Sequence, residues 1–374
     1  MNDTRYIIAG KIIDGTGGPV QRKVLLTVKN GLIAAIGSVN DLPANANAAD
    51  LSHCTVVPAL VDCSVSLTRS PSVDNQAVSP TDNTILLNRH IRDTYSHGVL
   101  GVANCDDPAG VVQKYLKENK SAIIDIRNSG HDFLKIFYTG SIDAEASPAK
   151  PTRPAKLRSI LEKRGNRKTI IVANGEQQVT DALAAGCDAI EQGYGMGEDN
   201  LERMAKQNLL WIPNVLRAKN GLDGSTADGS VCCRFSQRYI APGKPNPDAE
   251  AFWKKTLNSQ LALLRYAREL GVKTALGTGA GSLGILHGES MVEEMKLFMA
   301  AGYSLEETIH AACLPGAEFF DMNNIGSLTV GKHATFLIAR GSVKQLPRKL
   351  AYLEGIYING LPSDAYHKNP AHTA

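Results

Sequence analysis

The stretch Pro58–Leu67, PALVDCSVSL, is where the reading of this chain begins. Its apolar residues run almost unbroken over the length of one strand, the pattern of a strand covered on both faces in a parallel sheet. Side chains alternate along a strand, so Ser64 and Ser66 point the same way. Two histidines at that spacing would present two imidazoles to one metal. Serine hydroxyls are neutral at pH 7 and weak as ligands, so the same geometry here offers hydrogen bonds.

Downstream of this strand, from Thr55 to about Asn324, apolar strands alternate with helical stretches. Eight strand segments can be placed, at 56–66, 98–104, 122–126, 133–138, 169–174, 187–192, 209–215 and 273–279, with helical segments between most of them. Eight such units predict an α/β fold of the (β/α)8 TIM barrel type. The helix predicted over 247–270 carries Phe252, Leu257, Leu261 and Leu264 at three- and four-residue spacings and stops at Gly271. A second ends before Gly302. Residues 217–243, rich in Gly, Ser, Asp and Pro, are too long for an ordinary βα loop and read as a lid over the barrel mouth.

Both ends of the chain have a different texture. Before the barrel, short β-type runs surround glycine turns, with Asn30-Gly31 as a hairpin signal. After Gly326 the chain returns to β character. Residues 1–55 and 326–374 are therefore expected to share a small composite β-sandwich beside a barrel over 56–325.

Composition narrows the function classes. The chain has 374 residues, 43% hydrophobic and 21% charged, enough for a large core. A net charge of +3 without a basic, aromatic-interleaved run argues against nucleic acid as a partner. No secretory pattern or apolar stretch of membrane-spanning length is present, which predicts a cytoplasmic protein with no membrane partner. Seven cysteines without CxxC spacing predict free thiols.

Eight ordered pieces then carry a resemblance: IIAGKIIDGTG, NGLIAAIG, TVVPALVD, DFLKIF, IEQGYG, ALGTGAG, LHGES and IGSLTVGKHATFLI. Together they resemble the amidohydrolase superfamily, in its imidazolonepropionase-like branch, over nearly the whole chain. The resemblance implies a barrel with a composite sandwich and hydrolysis of non-peptide C–N and related bonds by one or two metals at the barrel mouth. It also implies where the metal ligands would stand. The strand-one pair falls on Ser64 and Ser66, the carboxylated lysine on Lys135, the next two histidines on Asn174 and Gln192, and the strand-eight aspartate on Gly279. Only Lys135 keeps its type, and Thr335 replaces a further aspartate usual in the family.

The expectation is a degenerate site with no metal and no cofactor. Ser64, Ser66, Lys135, Asn174, Gln192 and Gly279, joined by His287 of LHG, are expected to line a polar pocket for a small molecule. Lys135 is the one catalytic candidate, as a neutral amine of lowered pKa that acts as a base or forms a Schiff base. In the alternative it pairs with Asp106 or Asp107. Cys63 is expected to face the helices and Cys105 the mouth, with Cys232 and Cys233 in the lid. The preferred reading is a non-hydrolytic binding or regulatory homologue, a homo-oligomer by family resemblance. Its alternatives are a metal-independent lactonase, lyase or isomerase using Lys135, and an active amidohydrolase with another ligand set.

Overall fold

The structure, a computed structural model, describes residues 4–71, 80–107, 109–119, 122–138, 153–226 and 247–366. Four strands open it: β1 (Thr4–Ile12), β2 (Gln21–Lys29), β3 (Leu32–Ser38) and β4 (Ala48–Pro58). The β2–β3 hairpin turns at Asn30 and Gly31, both with positive φ (53° and 81°), the geometry that an Asn-Gly pair permits. Long β4 then hands the chain to the barrel.

The barrel strands are β5 (Leu60–Val65), β6 (Val99–Asn104), β7 (Asp125–Asn128), β8 (Phe133–Phe137), β9 (Lys168–Ala173), β10 (Ala189–Gln192), β11 (Leu210–Ile212) and β12 (Lys273–Thr274). Each overlaps one of the eight segments read from the sequence. They form runs of three (β5-β6-β7) and five (β12-β11-β10-β9-β8) strands. The Cys63 and Ser66 N–H groups, donating to the Leu276 and Ala280 carbonyls, join one end of the array to the other.

Helices α1 (Pro80–Ser96) and α2 (Val111–Glu118) follow β5 and β6. Between β7 and β8, however, a turn of four residues replaces the helix. Helices α3 (Pro154–Glu162), α4 (Glu176–Ala184) and α5 (Glu198–Gln207) follow β8, β9 and β10. Helices α6 (Val215–Thr226) and α7 (Pro247–Leu270) lie between β11 and β12, and α8 (Ser290–Ala300), α9 (Leu305–Ala311) and α10 (Leu314–Phe319) follow the barrel. Residues 217–226 of the stretch read as a lid are thus helical, because α6 starts directly at the exit of β11. The remainder of that stretch, with Cys232 and Cys233, lies outside the described residues.

The chain then returns to the first sheet with β13 (Phe336–Arg340), β14 (Gly355–Ile358) and β15 (Leu361–Pro362). The sheet order is β15-β14-β13-β4-β1-β2-β3, with β13 antiparallel to β4 through Phe336↔Pro58 to Arg340↔Cys54. Segment 331–334 bonds back to β3, the Ile33 N–H donating to the Lys332 carbonyl, so the sheet curls around its own core of Ile7, Leu26, Val28, Val56 and Phe336.

The barrel interior is a packed plug. Val61 and Cys63, Ala103, Phe133, Ile170, Ala189 and Ile212 meet Phe320 and Met322 from beyond α10, and the Phe133 and Phe320 rings touch edge to face at 5.0 Å. A β-bulge between Asp62 and Val65 breaks the alternation of β5. Cys63 therefore stays in the interior plug, against Gly316 of α10, and does not turn out toward the surrounding helices. Among the described residues no helix is long and apolar enough to cross a membrane.

Candidate functional site

Phe133 belongs to the plug, and two residues further along β8 comes Lys135. Ala189 belongs to it too, and two residues further along β10 comes Glu191. The polar layer therefore sits just above the plug, at the C-terminal ends of the strands, where barrel sites form. It opens into a cavity of about 430 Å³ lined by Ser64, Ser66, Lys135, Gln192 and Gly279, and also by Cys105, Glu191, Asn214, Arg69 and Arg217.

Lys135 stands at its centre. The side chains of Lys135 and Glu191 are each 3% exposed, and the ammonium lies 2.8 and 2.7 Å from the two carboxylate oxygens. Nζ also donates to Cys105 Sγ at 2.8 Å and to Ser64 Oγ at 3.2 Å. Ser64 Oγ in turn donates to Glu191 Oε1 at 2.9 Å. Three partners for three N–H bonds leave the ammonium fully engaged.

This overturns two expectations for Lys135. Its partner is Glu191, because Asp106 is held by Arg69 at 2.6 Å and by the Ser66 hydroxyl, while Asp107 accepts from the Val112 and Gln113 N–H groups at the start of α2. Nor is its pKa lowered. Burial opposes the charge, but the Cys105 sulfur and the Glu191 carboxylate together outweigh it and hold the ammonium above its ordinary value. Burial pushes the Cys105 thiol up, against the pull of the Lys135 charge beside it.

Two expected lining residues stand outside the cavity wall. Asn174 turns sideways, donating to Gln192 Oε1 at 2.6 Å and accepting from the Tyr194 N–H. Its role is to fix the Gln192 amide. His287 is 3% exposed and stacks on His90 at 3.7 Å, its Nε2 paired with the Ser66 carbonyl at 2.9 Å. Burial first, then the neighbouring His90, pushes its pKa down to about 3. His287 is thus a neutral buttress behind Ser66.

The sequence reading missed three residues. Glu191 stands beside Gln192, and a lone carboxylate inside an apolar strand calls for a buried cation of matching depth, which Lys135 supplies. Asp62 is buried beneath Ser64, accepts from the Ser64 and Thr278 N–H groups, and is pushed up to about 6 by burial. Asn214, 3% exposed at φ 46°, lines the cavity with an Oδ1 that has no hydrogen-bond partner among the described residues.

The resemblance implies a divalent metal at these positions. Two hydroxyls, an amide and a glycine occupy the ligand positions, and the lysine is spent on Glu191, Cys105 and Ser64. Among the described residues no three His, Cys, Asp or Glu side chains are grouped to hold a metal ion. These residues do not fit such an ion.

Comparison with known proteins agrees with the architecture. A Xaa-Pro dipeptidase with methionine bound in its active site superposes with a TM-score of 0.80 at 20% identity, over 96% of this chain and 100% of that one. The ochratoxinase of A. niger gives 0.78 at 16%, over 96% and 95%, and molinate hydrolase gives 0.74 at 14%, over 97% and 95%. At these identities the likeness is one of fold. Among curated proteins none matches. The sequence pattern of the Amidohydrolase family, by contrast, matches residues 37–356, and to that family the chain belongs.

Proposed function

We propose that this chain is a binding member of the amidohydrolase family, one that accepts a small polar molecule at the barrel mouth without hydrolysing it. The observation that carries this reading is the Lys135 ammonium, held by Glu191, Cys105 and Ser64 where the family resemblance would place a metal-bridging carbamate. A protonated lysine carries no carbamate, and its charge is already balanced by a carboxylate at hydrogen-bond distance. Around it, Ser64, Ser66, Gln192 and Asn214 supply neutral hydrogen-bonding groups, the equipment of a recognition pocket.

Metal content tests this reading. Protein purified without an affinity tag from cells supplied with zinc, manganese, iron and nickel is expected to hold less than about a tenth of an equivalent of any of them. One equivalent or more, retained through dialysis, would sink the proposal and direct attention to hydrolase assays. The metal-independent route through a Schiff base at Lys135 is disfavoured by the same ion pair, because the amine is protonated when a carbonyl arrives. Borohydride added in the presence of small aldehydes and ketones is expected to leave the Lys135 peptide unmodified.

A further inference from the structure

Lys135 Nζ and Cys105 Sγ are 2.8 Å apart. The other contacts described for sulfur in this molecule are longer, at 3.5 Å from Cys105 to Ser64 Oγ, 3.9 Å from Cys105 to the Ala103 carbonyl and 4.0 Å from Cys313 to the Pro58 carbonyl. The pair lies in the wall of the open cavity, so small oxidants reach it from solvent. Cys54, Cys63, Cys187 and Cys313 are all buried, whereas Cys105 is half-buried. Glu191, in contact with the ammonium on its other side, is placed to take a proton from it.

We propose that Lys135 and Cys105 are a redox modification site, closing a covalent N–O–S bridge when the protein meets dioxygen and reopening under thiol reductants. In the balanced step, the lysine and the thiol react with one dioxygen, and the resting ammonium passes one proton to the Glu191 carboxylate only as its N–O bond forms. One oxygen atom bridges nitrogen and sulfur, forming the N–O and O–S bonds. The other leaves as water with the thiol hydrogen and one amine hydrogen. Nitrogen and sulfur each give up two electrons, and the four reduce the dioxygen. The bridge removes the central positive charge of the pocket and ties β8 to the end of β6. Closure would therefore replace the buried ion pair by neutral groups, while Arg69 and Asp106 keep their charges.

Intact-mass spectrometry on full-length protein tests this, comparing samples kept anaerobic with samples stored in air-saturated buffer. The bridge adds one oxygen and removes two hydrogens, a gain of about 14 Da, distinct from the about 16 Da of a sulfenic acid. We expect the smaller gain in air, its reversal by dithiothreitol, and a cross-linked pair of proteolytic peptides containing residues 105 and 135. Cys105→Ser and Lys135→Arg should both abolish it. The wild-type peptide map does not depend on either variant folding, and it separates Cys105 from Cys232 and Cys233. Absence of the linked pair in air-exposed protein overturns the proposal. So does oxidation of Cys105 that persists at full extent in Lys135→Arg.

Discussion

Lys135 and Glu191 are a buried ion pair whose value lies in mutual dependence, since either charge alone would be left buried without its partner. Lys135→Met is expected to cost about 3–5 kcal/mol of unfolding free energy in denaturant titrations, as is Glu191→Leu. The double variant should recover most of that loss, and simple additivity of the two single losses would show that the charges act independently. A cavity residue tests the history of the site in the opposite direction. At Gly279 φ is 73° and an added Cβ would lie 2.9 Å from Asn214 Nδ2. Placing at Gly279 the acid that the resemblance implies there, Gly279→Asp, should therefore destabilise the protein by about 1–3 kcal/mol and bring no metal with it, as read by thermal unfolding and metal analysis. Ser64, Ser66 and Lys135 could be placed at the site from sequence because ordered motifs fix them locally. Glu191 and His287 could not. The partner of Glu191 is 56 residues away in sequence, and His287 owes its place to stacking on His90, on which no local pattern bears.

At the scale of elements, α6 shows how the cavity roof is anchored. Its first N–H groups, Val215 and Leu216, donate to the two carboxylate oxygens of Glu294, a fully buried residue of α8, at 2.9 and 2.6 Å. Those are orphan donors of a helix start, and the neighbouring Asn214 is a cavity residue. Glu294→Ala should cost about 2–4 kcal/mol and raise hydrogen exchange at the Val215 and Leu216 amides while leaving that of β9 and β10 amides nearly unchanged. The eight strands were readable because each is a short apolar run between turn signals. The missing helix between β7 and β8 was visible in the spacing as well, since the segments ending at 126 and starting at 133 leave no room for one. The bulge in β5 was not, because a bulge depends on pairing with β6 and leaves Cys63 an ordinary strand residue in sequence.

For the molecule as a whole, two buried groups shape the dependence of stability on pH from opposite sides. His287 has its pKa lowered to about 3, so the stability it confers is complete above its ordinary 6.5 and is lost as pH falls toward 3. Glu294 is raised to about 8, chiefly by burial, so its contribution is complete below its ordinary 4.5 and is lost as pH rises toward 8. These two groups alone would hold unfolding free energy level between about pH 4.5 and 6.5 and lower it on either side, and Asp62, raised to about 6, and Glu289, raised to about 7, add to the fall as pH rises. In denaturation series at fixed pH, Glu294→Gln should flatten the alkaline fall and His287→Gln the acid one. A wild-type maximum above pH 8 would contradict the Glu294 assignment, and stability undiminished down to pH 3 would contradict that of His287. The sheet beyond the barrel has a consequence of another kind. The partner of β4 on one side is β13, which leaves the ribosome roughly 280 residues after β4. At roughly 5–20 residues per second the nascent chain carries a bare, apolar β4 edge for roughly 15–60 s, so each newly made copy needs shelter during synthesis that the finished protein does not.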